Sequence, residues 1–117
     1  MKEYTLAVNA IWAYQTPFSL LIAHRYPHAT IALFDVHRLL TDIYYDPSAY
    51  LKAPANATGF VNQCNVDGSG CHRTGDIDAY MWYDELHPSQ GTDRVIGSEF
   101  VRVVAGNSSY ATYWSAY

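Results

Sequence analysis

Between Glu3 and about Arg25 the apolar residues Tyr4, Val8, Ile11, Phe18 and Ile22 recur at spacings built of threes and fours, with a polar turn at Gln15. Positions so spaced share one face of a 3.6-residue period, so the segment is expected to form an amphipathic helix. Pro17 lacks the amide hydrogen a helix interior needs, which predicts a kink there or a second helix capped by Thr16. The pattern then changes. "ATIALFDV", residues 29–36, is a run rich in Ile, Leu and Phe that follows Pro27. Apolar residues without alternation are what a strand covered on both faces presents, so this reads as a buried strand of a parallel sheet. Leu39, Leu40, Ile43 and Tyr44 return to helical spacing, and Pro47 stops that helix.

Residues 48–83 are rich in Asn, Gly, Asp, Pro and Ala with no clear period, which predicts a long excursion rather than a packed element. A last helix follows. Ser89 is its N-cap, Asp93 lies in the first turn where the helix dipole favours a carboxylate, and Val95, Ile96, Phe100, Val103 and Val104 form an apolar stripe. Gly106 ends it. The order is that of an α/β protein with one strand and about three helices. A single parallel strand leaves its backbone polar groups unpaired on both sides, so the sheet's other strands are expected to come from a segment outside this chain.

The composition narrows the function. Seven Lys and Arg against eleven Asp and Glu give a net charge of −4, with no basic cluster to match a phosphate backbone or an anionic membrane surface. The longest apolar stretches, "PFSLLIA" and "ATIALF", fall far short of the roughly 20 residues a membrane-spanning helix needs. Neither nucleic acid nor membrane is expected as a partner. Asn56-Ala57-Thr58 and Asn107-Ser108-Ser109 match the acceptor pattern for N-glycosylation, and Cys64 and Cys71 bracket a Gly- and Asp-bearing loop, "CNVDGSGC". These features point to a secreted protein, although the N-terminal residues lack the pattern of a signal peptide. Only two cysteines exist, and Gly68 and Gly70 allow the chain reversal that bonding them requires, so a Cys64–Cys71 disulfide is expected.

The densest chemistry lies in "WYDELHPSQ", residues 82–90. Pro88 biases His87 toward extended backbone and Ser89 opens a helix, so Asp84 to His87 occupies a loop at a helix entrance. There the Asp84 carboxylate can fold back onto one imidazole nitrogen of His87. That would fix the tautomer and leave the other nitrogen to accept a proton from a nucleophile. Trp82 adjoins this pair and is the best-placed of Trp12, Trp82 and Trp114 to stack on a sugar ring, though packing is the commoner duty of tryptophan. Of eight serines only Ser69, in "DGSG", has flanking glycines, and it does not sit between strand and helix as a nucleophile elbow would. His24, His28 and His37 have spacings a zinc site can use, but Pro27 breaks the helix that would align the first two and no further ligands close the set. His72 has no partner motif. No metal and no cofactor are expected.

"YDELHPS" before a helix, with "YPHATIALFDVHRLLTDIYYDPSAYL" upstream and a cysteine pair between, resembles the C-terminal part of GDSL-type (SGNH) hydrolases. Within that group the likeness is to the secreted fungal acetyl esterases of carbohydrate esterase family 16. The resemblance runs through nearly the whole chain. It implies a partial three-layer α/β/α domain over residues 1–117, with Asp84 and His87 as orienter and general base of a Ser-His-Asp triad. It also implies an acetylated carbohydrate or other small ester as substrate. The family's serine lies in a Gly-Asp-Ser motif near its N-terminus, and its oxyanion hole adds a glycine and an asparagine. None of these blocks occurs here, and Met1 would fall within a helix after the asparagine block. The missing parts would come from an N-terminal portion or from a second chain. A non-catalytic remnant that keeps a docking or sugar-binding surface stands as the alternative.

Overall fold

A computed structural model describes residues 2–117; Met1 lies outside them. In chain order the elements are α1 (Lys2–Pro17), β1 (Thr30–Phe34), α2 (Val36–Tyr45), β2 (Asn56–Phe60), β3 (Asn62–Gln63), β4 (His72–Arg73), β5 (Tyr80–Trp82), α3 (Gln90–Val104) and β6 (Ala111–Ser115). The fold is mixed α/β, with three α-helices and short strands paired in two-stranded sheets among the described residues. It divides into two compact units, one of residues 2–35 with 102–117 and one of residues 36–101.

In the first unit, α1 runs to Pro17 and continues as a π-helical turn, Phe18–Ile22, closed by the Ala23 N–H on the Phe18 carbonyl at 2.8 Å. A proline that cannot donate to the preceding turn is a natural place for the register to widen. The expected one-sided burial of this helix is not found. Residues 3–15 are all exposed, including Ile11 and Trp12, and the buried positions are Thr16 and Leu20.

The strand reading also needs correction. β1 is not a parallel strand without a partner: it pairs antiparallel with β6, from Thr30 opposite Ser115 to Phe34 opposite Ala111. Thr30 and Ala32 are exposed while Ile31, Leu33 and Phe34 are half-buried, the near-alternation of a strand covered on one face. Composition suggests two covered faces because Thr30 and Ala32, at the exposed positions, are too weakly polar to show the alternation. After α3, Gly106 at φ 77° turns the chain, and its N–H donates to Val103 at 3.0 Å while that of Asn107 donates to Arg102 at 3.1 Å. These bonds satisfy carbonyls that the helix end leaves open. The Tyr113 hydroxyl then donates to the Val103 carbonyl at 3.1 Å and ties β6 to the helix end.

In the second unit, Leu39 and Ile43 of α2 are buried with Leu51, Ala57, Val61, Ala79 and Met81. Fully burying a side chain of the Leu, Ile or Met class stabilises by about 1.5 to 3 kcal/mol, so these few residues supply most of the unit's cohesion. β5 lies parallel to β2, with Asn56 opposite Tyr80 and Phe60 opposite Trp82 across a register shift. β3 and β4 form an antiparallel pair. Residues 48–83 are therefore packed at Leu51, Ala57, Val61, Ala79 and Met81, where their composition predicted an excursion throughout, while residues 63–73 are exposed. Strands of two to five residues are too short to show a period. α3 follows the predicted bounds, but of its apolar stripe only Val103 is buried; Val95 and Ile96 are half-buried and Phe100 and Val104 exposed.

Candidate active site

The chain leaves β5 at Trp82, turns through residues 83–88 and enters α3, and the two stems of that turn are cross-linked. The Tyr83 N–H donates to the His87 carbonyl at 2.9 Å, Trp82 forms a bridge with Pro88, and the Ser89 N–H donates to the Met81 carbonyl at 2.9 Å. On the other side, the Val61 and Asn62 N–H groups donate to the carbonyls of Trp82 and Tyr83 at 3.1 and 2.8 Å. The loop is thus held at its root from two directions.

Inside it, Asp84 organises the turn. Its Oδ1 accepts from the N–H of Leu86 at 2.9 Å and of His87 at 2.7 Å, and His87 Nδ1 lies 3.0 Å from both carboxylate oxygens. An ionised carboxylate only accepts, so the shared proton must sit on Nδ1. In the neutral ring this leaves Nε2 with a free lone pair. The His87 side chain is 67% exposed, so the ring is accessible to an incoming group. The Asp84 carboxyl is held well below its usual range, at about 2, first by the His87 and Leu86 backbone donors and then by the His87 ring. It stays ionised wherever the imidazole can act as a base.

α3 begins where it does because Ser89 caps it. Its Oγ accepts from the Thr92 N–H at 3.1 Å and donates to the Tyr80 carbonyl, while the Thr92 hydroxyl donates to the Met81 carbonyl at 2.8 Å. Both side chains are completely buried. Gly91 fits the same close approach, since a Cβ there would stand 3.0 Å from the Asp78 Cα. Nothing in the sequence pattern singled out Thr92; its place three residues after an N-cap serine was the available signal.

Trp82 is half-buried, and its indole N–H donates to the Ala57 carbonyl at 3.1 Å, which fixes the ring beside β2. Cys64 and Cys71 are disulfide-bonded as expected, with Gly68 and Gly70 at φ 80° and 62° making the reversal. Ser69 belongs to that reversal: its hydroxyl donates to Asp67 at 2.7 Å. The disulfide loop and the Asp84 loop flank an open recess of about 400 Å³, lined by Phe60, Asn62, Asn65 and Val66 on one side and Asp84 and Leu86 on the other.

The remaining predicted residues are dispersed. Asn56 turns its carboxamide oxygen inward to the N–H groups of Thr58 and Gly59, at 3.1 and 2.7 Å, whereas Asn107 is exposed just beyond α3. His24 and His28 occupy left-handed backbone positions at φ 47° and 62°, His37 lies in the first turn of α2, and His72 is in β4. Among the described residues, no three His, Cys, Asp or Glu side chains come together as metal ligands, and no helix is long and apolar enough to cross a membrane.

No family model matches the chain. It is 45% identical over 115 residues to an acetylesterase from Hypocrea jecorina, a match that covers 97% of this chain and 33% of that protein. The chain therefore spans about a third of the length of this relative.

Proposed function

We propose that this chain is the part of a secreted ester hydrolase that carries its general base, His87, and the carboxylate that orients it, Asp84. The observation that carries the reading is the fixed tautomer, with Nδ1–H on Asp84 and the His87 ring exposed. The similarity to an acetylesterase gives that base a class of reaction. In a Ser-His-Asp mechanism Nε2 accepts the serine hydroxyl proton as the oxygen attacks the ester carbonyl, and then delivers it to the departing alcohol. Water repeats the cycle on the acyl-enzyme and releases acetate. Asp84 stays ionised throughout and stabilises the imidazolium.

In this reading the serine and the oxyanion donors belong to polypeptide outside these 117 residues. The substrate proposed is an acetyl ester of a carbohydrate, the alcohol part resting in the recess beside Asp84. Secretion agrees with the Cys64–Cys71 bond, since disulfides persist in oxidising compartments.

The test is acetyl-ester hydrolysis by a longer parent protein that contains this chain. His87→Ala is expected to lower kcat by about 10⁶ and Asp84→Asn by about 10⁴, as the proton-moving and orienting members of such triads do. Unchanged turnover in His87→Ala would remove His87 from the mechanism.

A further inference from the structure

We infer that the buried Thr92 hydroxyl is a positioning group for the Asp84–His87 pair. This rests on reading the pair as orienter and base, and it extends that reading into the first turn of α3. Asp84 and His87 sit at the tip of a closed loop, so their geometry is only as definite as the stems. The incoming stem ends in the carbonyls of Tyr80 and Met81, and the outgoing stem begins at Ser89. The Met81 carbonyl accepts twice from the outgoing side, from the Ser89 N–H at 2.9 Å and from the Thr92 hydroxyl at 2.8 Å. The second bond differs in kind, because it reaches past the cap and pins the helix body to the strand.

Burial raises the value of this bond. Thr92 and Ser89 are both completely shielded, so no water can replace a lost donor at the same place. The contact also has no slack on the opposite side of the turn, where Gly91 lies against the Asp78 backbone with no room for a side chain. Without the Thr92 hydroxyl, the stems retain the Tyr83–His87 and Ser89–Met81 backbone bonds and the Ser89 hydroxyl bond to the Tyr80 carbonyl. Those bonds keep the loop closed and hold Ser89, but none of them reaches the helix beyond its cap, so α3 can pivot against β5 about that residue. A pivot at Ser89 turns Pro88 and His87 with it. The two amide bonds to Asp84 Oδ1 and the Nδ1 bond then lengthen together, since they share one acceptor.

The experiment compares the isotopically labelled chain with Thr92→Val, which keeps the shape and loses the hydroxyl, and Thr92→Ser, which keeps the hydroxyl. In mildly alkaline buffer the ¹⁵N shifts of the His87 ring report its tautomer, and amide hydrogen exchange reports the Leu86 and His87 N–H bonds. The wild-type chain and Thr92→Ser are expected to show Nδ1–H alone with both amides protected. Thr92→Val is expected to populate both tautomers and to lose amide protection at least tenfold. Thr92→Ala replaces the valine variant if the latter does not melt cooperatively.

A folded Thr92→Val with the wild-type tautomer and protection overturns the inference. So does a Thr92→Ser variant as loosened as Thr92→Val, which would assign the effect to the methyl group. In the longer parent, Thr92→Val is expected to reduce kcat by up to roughly a hundredfold at unchanged KM, the scale of a misplaced catalytic group. An inactive parent would sink the hydrolase reading while the spectroscopic comparison still decides the role of Thr92.

Discussion

Three donors converge on a single oxygen of Asp84, and this makes the residue both the keystone of a turn and the partner of an imidazole. The double duty has a pH signature. The folded carboxyl titrates at about 2 against an ordinary 3.8, so the folded state binds the proton less readily than the unfolded chain does. The stabilisation is therefore complete above the ordinary value and is lost as pH falls through about 2. Asp84→Asn cannot titrate. Its melting temperature is expected to fall less than that of wild type between pH ~5 and ~2, where this linkage acts. Equal slopes for the two proteins would show that the three bonds do not persist in solution. At this scale the sequence was informative, because an aspartate, a histidine three residues on and a following proline define a local geometry that needs no distant partner. Thr92 was not legible, since its importance comes from a carbonyl eleven residues away.

Elements that depend on distant partners are the ones the local sequence does not reveal. β6 pairs with β1 across a separation of 85 residues at Thr30 and Ser115, and neither its length nor its composition announces the partner. β3 and β4 are two residues each, and the Cys64–Cys71 bond closes the loop between them. Opening that bond is expected to cost about 2 to 3 kcal/mol in the chain-entropy view. Through Asn62, whose N–H holds the Tyr83 carbonyl, the loss would also loosen the root of the Asp84 loop. Denaturant unfolding with and without dithiothreitol measures this, and the Cys64→Ser/Cys71→Ser protein should match the reduced wild type. Equal midpoints for reduced and oxidised protein would reduce the disulfide to an ornament of the loop. The helices, by contrast, are legible nearly to their bounds, because caps and prolines act within a few residues.

Taken as a molecule, the chain carries more apolar surface than its buried residues account for. α1 and the following turn expose Ile11 at 56%, Phe18 at 51% and Ile22 at 67% of their areas, and these residues line one apolar groove. Surface of that kind drives association. At rising concentration the chain is expected to form oligomers in light scattering, and Ile11→Glu with Phe18→Glu should return it toward the monomer. A wild-type chain that stays monomeric throughout would contradict this. The helical period was legible here but its burial was not, because a pattern of apolar positions says which residues seek cover and not whether cover is present.

The Asp84 loop has a different bearing on the whole. Asp84, His87 and the Ser89 and Thr92 bonds beneath them all lie between Tyr80 and Thr92. Such a site is preorganised: the rotational freedom of the imidazole is surrendered when the loop folds, before any substrate or second catalytic segment arrives. In the proposed reading, a polypeptide that delivers a nucleophile to Nε2 then has only to approach, because Asp84 already holds the ring in place.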